Sequence, residues 1–550
     1  MTYRLLFFTL FFTQLTFAQT TEKPKLIVGI VVDQMRMEYL YRFQDNYTEN
    51  GFKKLIRNGY NLKNTHYNYV PTATGPGHAS IYTGTTPADH GIISNNWYSR
   101  ALKRVQYCVE DNSVFDIDNL VAPQKEEEKS TSKSPQKLMT NTITDELKLF
   151  TSGRSKVIGL SIKDRASVLP AGHLADAAYW YNSKNGHFIT SSYYREKLPN
   201  WMISFNNRNV ADSLLNTTWQ TLLPISSYTN STKDDAPQEK IYKGRKTSTF
   251  PYDLKTLRNK NGNFSLISEI PQGNSLLLAA VKAAIKGEEL GRGKETDFLA
   301  ISFSSTDYLG HNFGIRSKEL EDNYVRLDRE IESLIATLDE QVGAGNYMVF
   351  LTADHAASDN PLFLESQRLP GKFFSTKEIK SNINKHLSEL FGQNEYISNI
   401  DNTQIYLAET EVSKELLIEK IIPLLKKTAG VKEVFAPAFP QMNLMSSKLN
   451  TFIRNSFNEK GSGDILYHME SGWMYERPYG ASHSTAYNND THVPMLWYGW
   501  KIPKGESVKP HTITQIAPTI SMLLNIPLPS SAERNPIEEL FELLGFVSDV

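Results

Sequence analysis

Leu26-Ile27-Val28-Gly29-Ile30-Val31-Val32-Asp33 decides the fold. Its first seven residues are continuously apolar and mostly β-branched, as expected of a strand buried on both faces, and the eighth is a carboxylate. Three similar runs lie further along the chain: Val157-Ile158-Gly159-Leu160-Ser161-Ile162, Phe298-Leu299-Ala300-Ile301-Ser302-Phe303 and Tyr347-Met348-Val349-Phe350-Leu351-Thr352. Helical stretches are expected around 136–152, 274–289 and 318–342. The last carries Leu320, Tyr324, Leu327, Ile331, Leu334 and Ile335 on one face. This alternation predicts an α/β fold with a largely parallel central sheet flanked by helices. The residues just beyond each strand matter as much as the strands. The first run ends in Asp33, the second in Lys163-Asp164-Arg165, the third leads to Asp307, and the fourth ends in Asp354-His355. Open α/β sheets bind ligands at the carboxyl ends of their strands, so four strands deliver charged groups to one edge.

The chain has 550 residues, enough to bury a substantial core, and 59 basic against 60 acidic side chains leave a net charge of −1. No global field points to nucleic acid or to an anionic membrane surface. Cys108 is the single cysteine, which excludes an intramolecular disulfide and a thiolate zinc site; it is expected to be a buried or partly buried thiol without catalytic duty. Residues 1–18 have the pattern of a secretory signal peptide: Arg4, an apolar stretch from Leu5 to Phe17, then Thr16-Phe17-Ala18 before polar sequence. The apolar stretch is shorter than the ~20 residues that span a bilayer. The expectation is an exported periplasmic or secreted chain, cut after Ala18, with no membrane anchor. Residues 19–550 then form one catalytic domain. Cap insertions are expected near 175–270 and 365–475, the second with a strand–helix–strand signal at 404–407, 412–427 and 431–435, and a charged loop covers 124–136.

Asp307-Tyr308-Leu309-Gly310-His311 sets two metal-ligand types four residues apart, on one face if the segment is helical. Asp33, Asp354, His355 and His483 (in Gly480-Ala481-Ser482-His483) add further carboxylates and imidazoles, with His492 a competitor for the last position. Carboxylate and imidazole without thiolate suit a borderline divalent ion such as Zn²⁺ in a catalytic site.

A further stretch reads Pro71-Thr72-Ala73-Thr74-Gly75-Pro76-Gly77-His78, continues through Tyr82-Thr83-Gly84 to His90-Gly91-Ile92, and leads on to Ser94-Asn95-Asn96-Trp97. Here the chain resembles the alkaline phosphatase superfamily, in the branch that holds nucleotide pyrophosphatase/phosphodiesterases and PafA-type monomeric alkaline phosphatases. The resemblance implies an alkaline phosphatase-like fold, Thr74 as nucleophile and Asn95 as a phosphate contact. It implies two Zn²⁺ per chain, one held by Asp33, Asp354 and His355 with Thr74 as a further ligand, the other by Asp307, His311 and His483. His78 and His90 are expected to support the nucleophile segment.

Lys163 and Arg165 bear on the substrate. On an extended segment, residues two apart project to one side. A monoester dianion leaves three nonbridging oxygens to neutralise, whereas a diester carries one charge and a second substituent, so paired cations favour the first. The PafA-type enzymes resemble this chain in having a Lys-x-Arg pair there. The expected function is zinc-dependent hydrolysis of small-molecule phosphate monoesters through a covalent phosphothreonine, by a monomer with no nucleic acid partner. The alternatives are a phosphodiesterase or nucleotide pyrophosphatase on the same scaffold, and a non-catalytic periplasmic binding protein.

Overall fold

A computed structural model of the chain describes residues 23–118, 132–392, 395–439 and 447–542. The apolar leader and residues 124–131 of the charged loop lie outside the described residues.

Ten strands form the central sheet: β1 (Leu26–Val32), β2 (Tyr60–Leu62), β3 (Asp116–Ile117), β4 (Val157–Ser161), β5 (Ala177–Asn182), β6 (His187–Ser191), β7 (Asp297–Phe303), β8 (Tyr347–Thr352), β9 (Met495–Gly499) and β10 (Gly505–Ser507). They lie in the order β10-β2-β9-β8-β1-β7-β4-β5-β6-β3. The middle five, β8-β1-β7-β4-β5, are mutually parallel. Beyond them β9 runs antiparallel to β8 and β2, and β6 runs antiparallel to β5 and β3. The sheet is therefore mixed at its margins and parallel at its centre. The four apolar runs are its four central members, and β1, β4, β7 and β8 are buried along their whole length. Register aligns their ends: Val31 lies beside Ser302 and Thr352, and Ser302 beside Ser161. The charged residues at those ends are thus delivered to one level.

Helices α1 (Thr74–Thr83), α2 (Arg165–Ala171), α3 (Gln272–Gly287), α4 (Ser305–Phe313) and α5 (Lys318–Leu338) carry or support the site. In α5 the Ser317 side chain caps the start by accepting from Leu320 N, and the expected face of Leu320, Tyr324, Leu327, Ile331, Leu334 and Ile335 is buried. The helix expected over 136–152 is confined to Ile143–Phe150, because a Thr142/Asp145 capping box fixes its start.

The two segments expected as insertions differ. Residues 175–270 supply β5 and β6 of the central sheet, and Trp219, Tyr242 and Tyr252 join the main core. Residues 372–475 instead carry their own four-stranded sheet, with Gln404–Leu407 and Ile465–Met469 between Ile397–Asp401 and Val431–Phe435. Helices Thr376–Phe391 and Lys414–Lys427 cover it, and Ile383, Leu387, Ile418, Ile421 and Ile465 form a separate core. This expected cap unit is tied to the segment after α1 by Asn402 Nδ2, which donates to Ser94 Oγ at 2.8 Å.

Candidate metal centre

Two groups of ligand atoms assemble at that edge, Asp33 with Asp354 and His355, and Asp307 with His311 and His483; within each, the atoms lie within 4.8 Å of one another. The first group comes from the ends of β1 and β8. The second comes from one face of α4, where residues 307 and 311 stand a turn apart, and from the loop after Gly480. Gly480 has φ 72, and a Cβ there would stand 1.7 Å from the His311 carbonyl oxygen, so only glycine lets this loop close on α4.

The imidazoles are oriented for coordination. Nδ1–H of His311 donates to Ala481 O at 2.8 Å, that of His355 to Ala356 O at 2.9 Å, and that of His483 to Thr72 O at 2.6 Å. Each bond fixes the tautomer that leaves an Nε2 lone pair facing inward. Those lone pairs meet a shortage of partners. Asp33 Oδ1, Asp354 Oδ2 and His355 Nε2 are buried without a hydrogen-bond partner. His311 Nε2 and His483 Nε2 stand 3.3 Å apart, two acceptors with no proton between them. Buried polar atoms are ordinarily satisfied, so this pattern calls for cations between the ligands. Two oxygens and one nitrogen, then one oxygen and two nitrogens, suit a divalent ion with open positions.

The carboxylates respond to this crowding. Burial and the neighbouring Asp354 push Asp33 well above the usual carboxylate range. Burial lifts Asp354 to about 6. Burial opposes ionisation of Asp307 too, but His311 and Lys163 hold it well below the usual range. Burial lowers His355 and His483, keeping both neutral, as ligation requires.

Thr74 opens α1 and is 1 % exposed. The helix rests directly on the first ligand group, because a Cβ at Gly77 would stand 2.2 Å from the Asp354 carbonyl oxygen. Lys163 Nζ lies 2.6 Å from Asp33 Oδ2, 2.6 Å from Asp307 Oδ2 and 3.4 Å from Thr74 Oγ1, so it joins both groups to the hydroxyl. Arg165 Nη2 reaches Thr74 Oγ1 at 3.3 Å. Asn95 Oδ1 accepts from Gly75 N at 2.7 Å, which holds its side chain at the helix start.

All the residues singled out in the sequence converge here except one: His492 donates through Nε2 to Lys63 O at 2.8 Å and stacks on His66, away from both groups. The Lys163–Arg165 segment departs from its expected conformation. It is not extended: Asp164 is helical (φ −55, ψ −50), its side chain accepts from Arg165 N, and Arg165 is the first residue of α2. The two cations meet at Thr74 because one ends the strand connection and the other starts a helix aimed at the same point. His78 is buried between Thr74 O and Ser302 Oγ, and His90 bonds Ser80, so both brace α1. Cys108 is buried and free.

Sequence reasoning missed three contributors. Gln34, in the left-handed region (φ 66), donates its N–H to Asp354 Oδ1 at 3.1 Å and its amide to Asp307 Oδ1 at 2.5 Å, bracing one carboxylate of each group. Tyr107 accepts from Arg165 Nη1 at 3.1 Å and donates to Asp164. The Tyr308 ring lies 5.0 Å from Lys163 Nζ. Position 34, directly after a strand-end Asp, was the one available signal.

Known proteins share this arrangement of sequence and fold. Residues 27–492 match the family described as type I phosphodiesterase / nucleotide pyrophosphatase. The chain is 42% identical over 534 residues to a Myroides odoratus protein named calcium-transporting ATPase, covering 96% of each chain. It is 42% identical over 530 residues to alkaline phosphatase PafA of Elizabethkingia meningoseptica, covering 94% of each. The crystal structure of wild-type PafA superposes with a TM-score of 0.89 at 41% identity, over 94% of this chain and 99% of that one. PafA has also been solved with a threonine, an asparagine, a lysine and an arginine replaced. Among the described residues, no helix is long and apolar enough to cross a membrane.

Proposed function

The chain belongs to the type I phosphodiesterase / nucleotide pyrophosphatase family and within it to the PafA-type alkaline phosphatases, and from that premise we propose that it hydrolyses phosphate monoesters through a covalent phosphothreonine, with two Zn²⁺ bound. The observation that carries this reading is the meeting of Lys163 Nζ and Arg165 Nη2 at Thr74 Oγ1, beside two three-ligand groups.

Asp33, Asp354 and His355 would hold one ion with Thr74 beside it, and Asp307, His311 and His483 the other. When bound, the ions would lower the pKa of a hydroxyl or water and neutralise charge on the leaving oxygen. Thr74 gives its hydroxyl proton to solvent and its Oγ attacks phosphorus; the Oγ–P bond forms as the ester P–O bond breaks, and the departing alkoxide takes a proton from water. Water then attacks the phosphothreonine, releasing inorganic phosphate and returning a proton to Thr74. Lys163, Arg165 and the Asn95 amide would take the nonbridging oxygens, with Arg165 as a fork and Lys163 as a point charge.

Charge balance selects the substrate. Three carboxylates, an ionised Thr74 and a dianionic monoester carry six negative charges. Two divalent ions, Lys163 and Arg165 carry six positive ones. A diester monoanion would leave a positive excess in a buried site, where uncompensated charge is costly. We propose export to the periplasm or medium, from the leader at 1–18, and a monomeric state. The test is metal analysis of the purified protein alongside matched aryl phosphate mono- and diesters. Two zinc equivalents and a large monoester preference are expected; a diester preference, or no bound metal in an active protein, would overturn the reading.

A further inference from the structure

A cavity of about 400 Å³ lies between the cap and the carboxyl edge, within the size range of small-molecule sites. On the catalytic side its wall is the loop Ser482–Thr485, including His483. Apart from His483, no residue of either ligand group lines it, nor do Thr74, Asn95, Lys163 or Arg165. The cavity therefore meets the two groups at His483 alone, on the group that lacks Thr74 beside it, where the leaving oxygen would sit. On the cap side its walls are aromatic: Phe374, Trp473 and Tyr475, the first and last packed edge to face with centroids 6.0 Å apart. Trp473 lies flat against Gly430 (φ 82), where a Cβ would stand 2.3 Å from the indole, so the ring is fixed rather than free to fold into the space. The turn of the cap hairpin closes the wall. Asn402 Nδ2 donates to Ser94 Oγ at 2.8 Å, next to Asn95, which ties the cap to the phosphate-binding segment.

The charge of the lining is one-sided. Three aspartates and no Lys or Arg line the cavity among the described residues. Two of the aspartates are spoken for: Asp359 pairs with Arg316 at 2.6 Å, and Asp490 accepts from Ser358 and Thr485. Asp401 accepts from the Asn402 main chain but has no cationic partner among the described residues, and its Oδ2 is buried without a hydrogen-bond partner. Burial holds its carboxyl at about 6, so it is ionised at neutral and alkaline pH. Aromatic faces beside a carboxylate without a cationic partner attract an organic cation and repel an anion.

We infer that this cavity receives the alcohol half of the substrate, and that it favours esters whose alcohol bears an ammonium group over those whose alcohol bears a carboxylate. The inference rests on the monoesterase reading and specifies its substrate class. It is tested by kcat/KM of the full-length enzyme for choline phosphate against phosphoglycolate, both phosphates of primary alcohols. The wild type should prefer choline phosphate by at least about tenfold, the scale of a desolvated cation–π contact together with one carboxylate. Trp473→Ala and Asp401→Asn should each move that ratio toward unity by about threefold or more. Tyr475→Ala, at a side chain already 54% exposed and so harmless to folding, should move it in the same direction. A wild-type ratio near one, or a preference that all three substitutions leave intact, overturns the assignment of the cavity while leaving the phosphatase reading standing. Failure to hydrolyse either ester or an aryl phosphate would remove both.

Discussion

Asp33, Asp354 and His355 are supplied by the ends of two adjacent parallel strands, and their side chains are 0% exposed. Asp307, His311 and His483 come from a helix and a loop, and their side chains are 6%, 21% and 10% exposed. The donor chemistry is nearly the same; the setting is not. The strand-end group is fixed by the sheet and wholly buried. The helix-and-loop group borders the cavity under the cap, where an alcohol could leave and water enter. On the proposed reading, the buried group would hold Thr74 still and the more open one would exchange what surrounds it.

This contrast can be broken at several points. Thr74→Ala should reduce monoester turnover by about 10⁴-fold or more, since a missing nucleophile disables the whole unit; steady-state rates measure this, and retained turnover would remove Thr74 from its role. Asp354→Asn should reduce kcat by about 10³-fold, because the fully buried group loses one of its two anionic ligands. His483→Ala, at the more open group, should weaken zinc and be partly rescued by added zinc. Metal content by mass spectrometry and activity against added zinc separate the two; equal, unrescued loss in both would erase the distinction. A chelator should remove the ion of the open group first, so activity should disappear when about one equivalent has left.

Lys163→Ala with Arg165→Ala should cost about 10²- to 10³-fold in kcat/KM for an aryl monoester, the range for oxyanion donors, and less than about tenfold for the matching diester. Equal loss on both esters would defeat the charge-balance account. The smallest effect belongs to His492→Ala. Kinetics should stay within about twofold and zinc content should hold, while chemical denaturation should show a loss of about 1 kcal/mol from the bond to Lys63 O.

Much of this was legible in the sequence because parallel strands buried on both faces read as unbroken apolar runs, and the ligands sit directly after them. Asp33 and Asp354-His355 needed no more than that. The margins of the sheet were not legible. β2 is three residues long and β9 lies far along the chain, and nothing local says that they pair antiparallel. Lys163 and Arg165 were legible as charges at a strand end, but their shared aim was read from a local geometry they do not have: spacing two apart reads as extended, and the Asp164 that starts α2 leaves no periodic trace. Gln34 and Tyr107 act through bonds to residues far off in sequence, Asp307 and Arg165 among them, and such pairings have no signature in either segment alone.

The bare α-carbon of Gly77 has a wider consequence. Because α1 seats main chain on main chain against the residues after β8, the spacing between the Thr74 and Asp354 backbones is machined into the chain before any side chain takes a rotamer. Cap and cavity walls can therefore drift in sequence, and with them the choice of alcohol, without detuning the bond-making step. Even a single methyl at position 77 would spoil that alignment for every substrate at once.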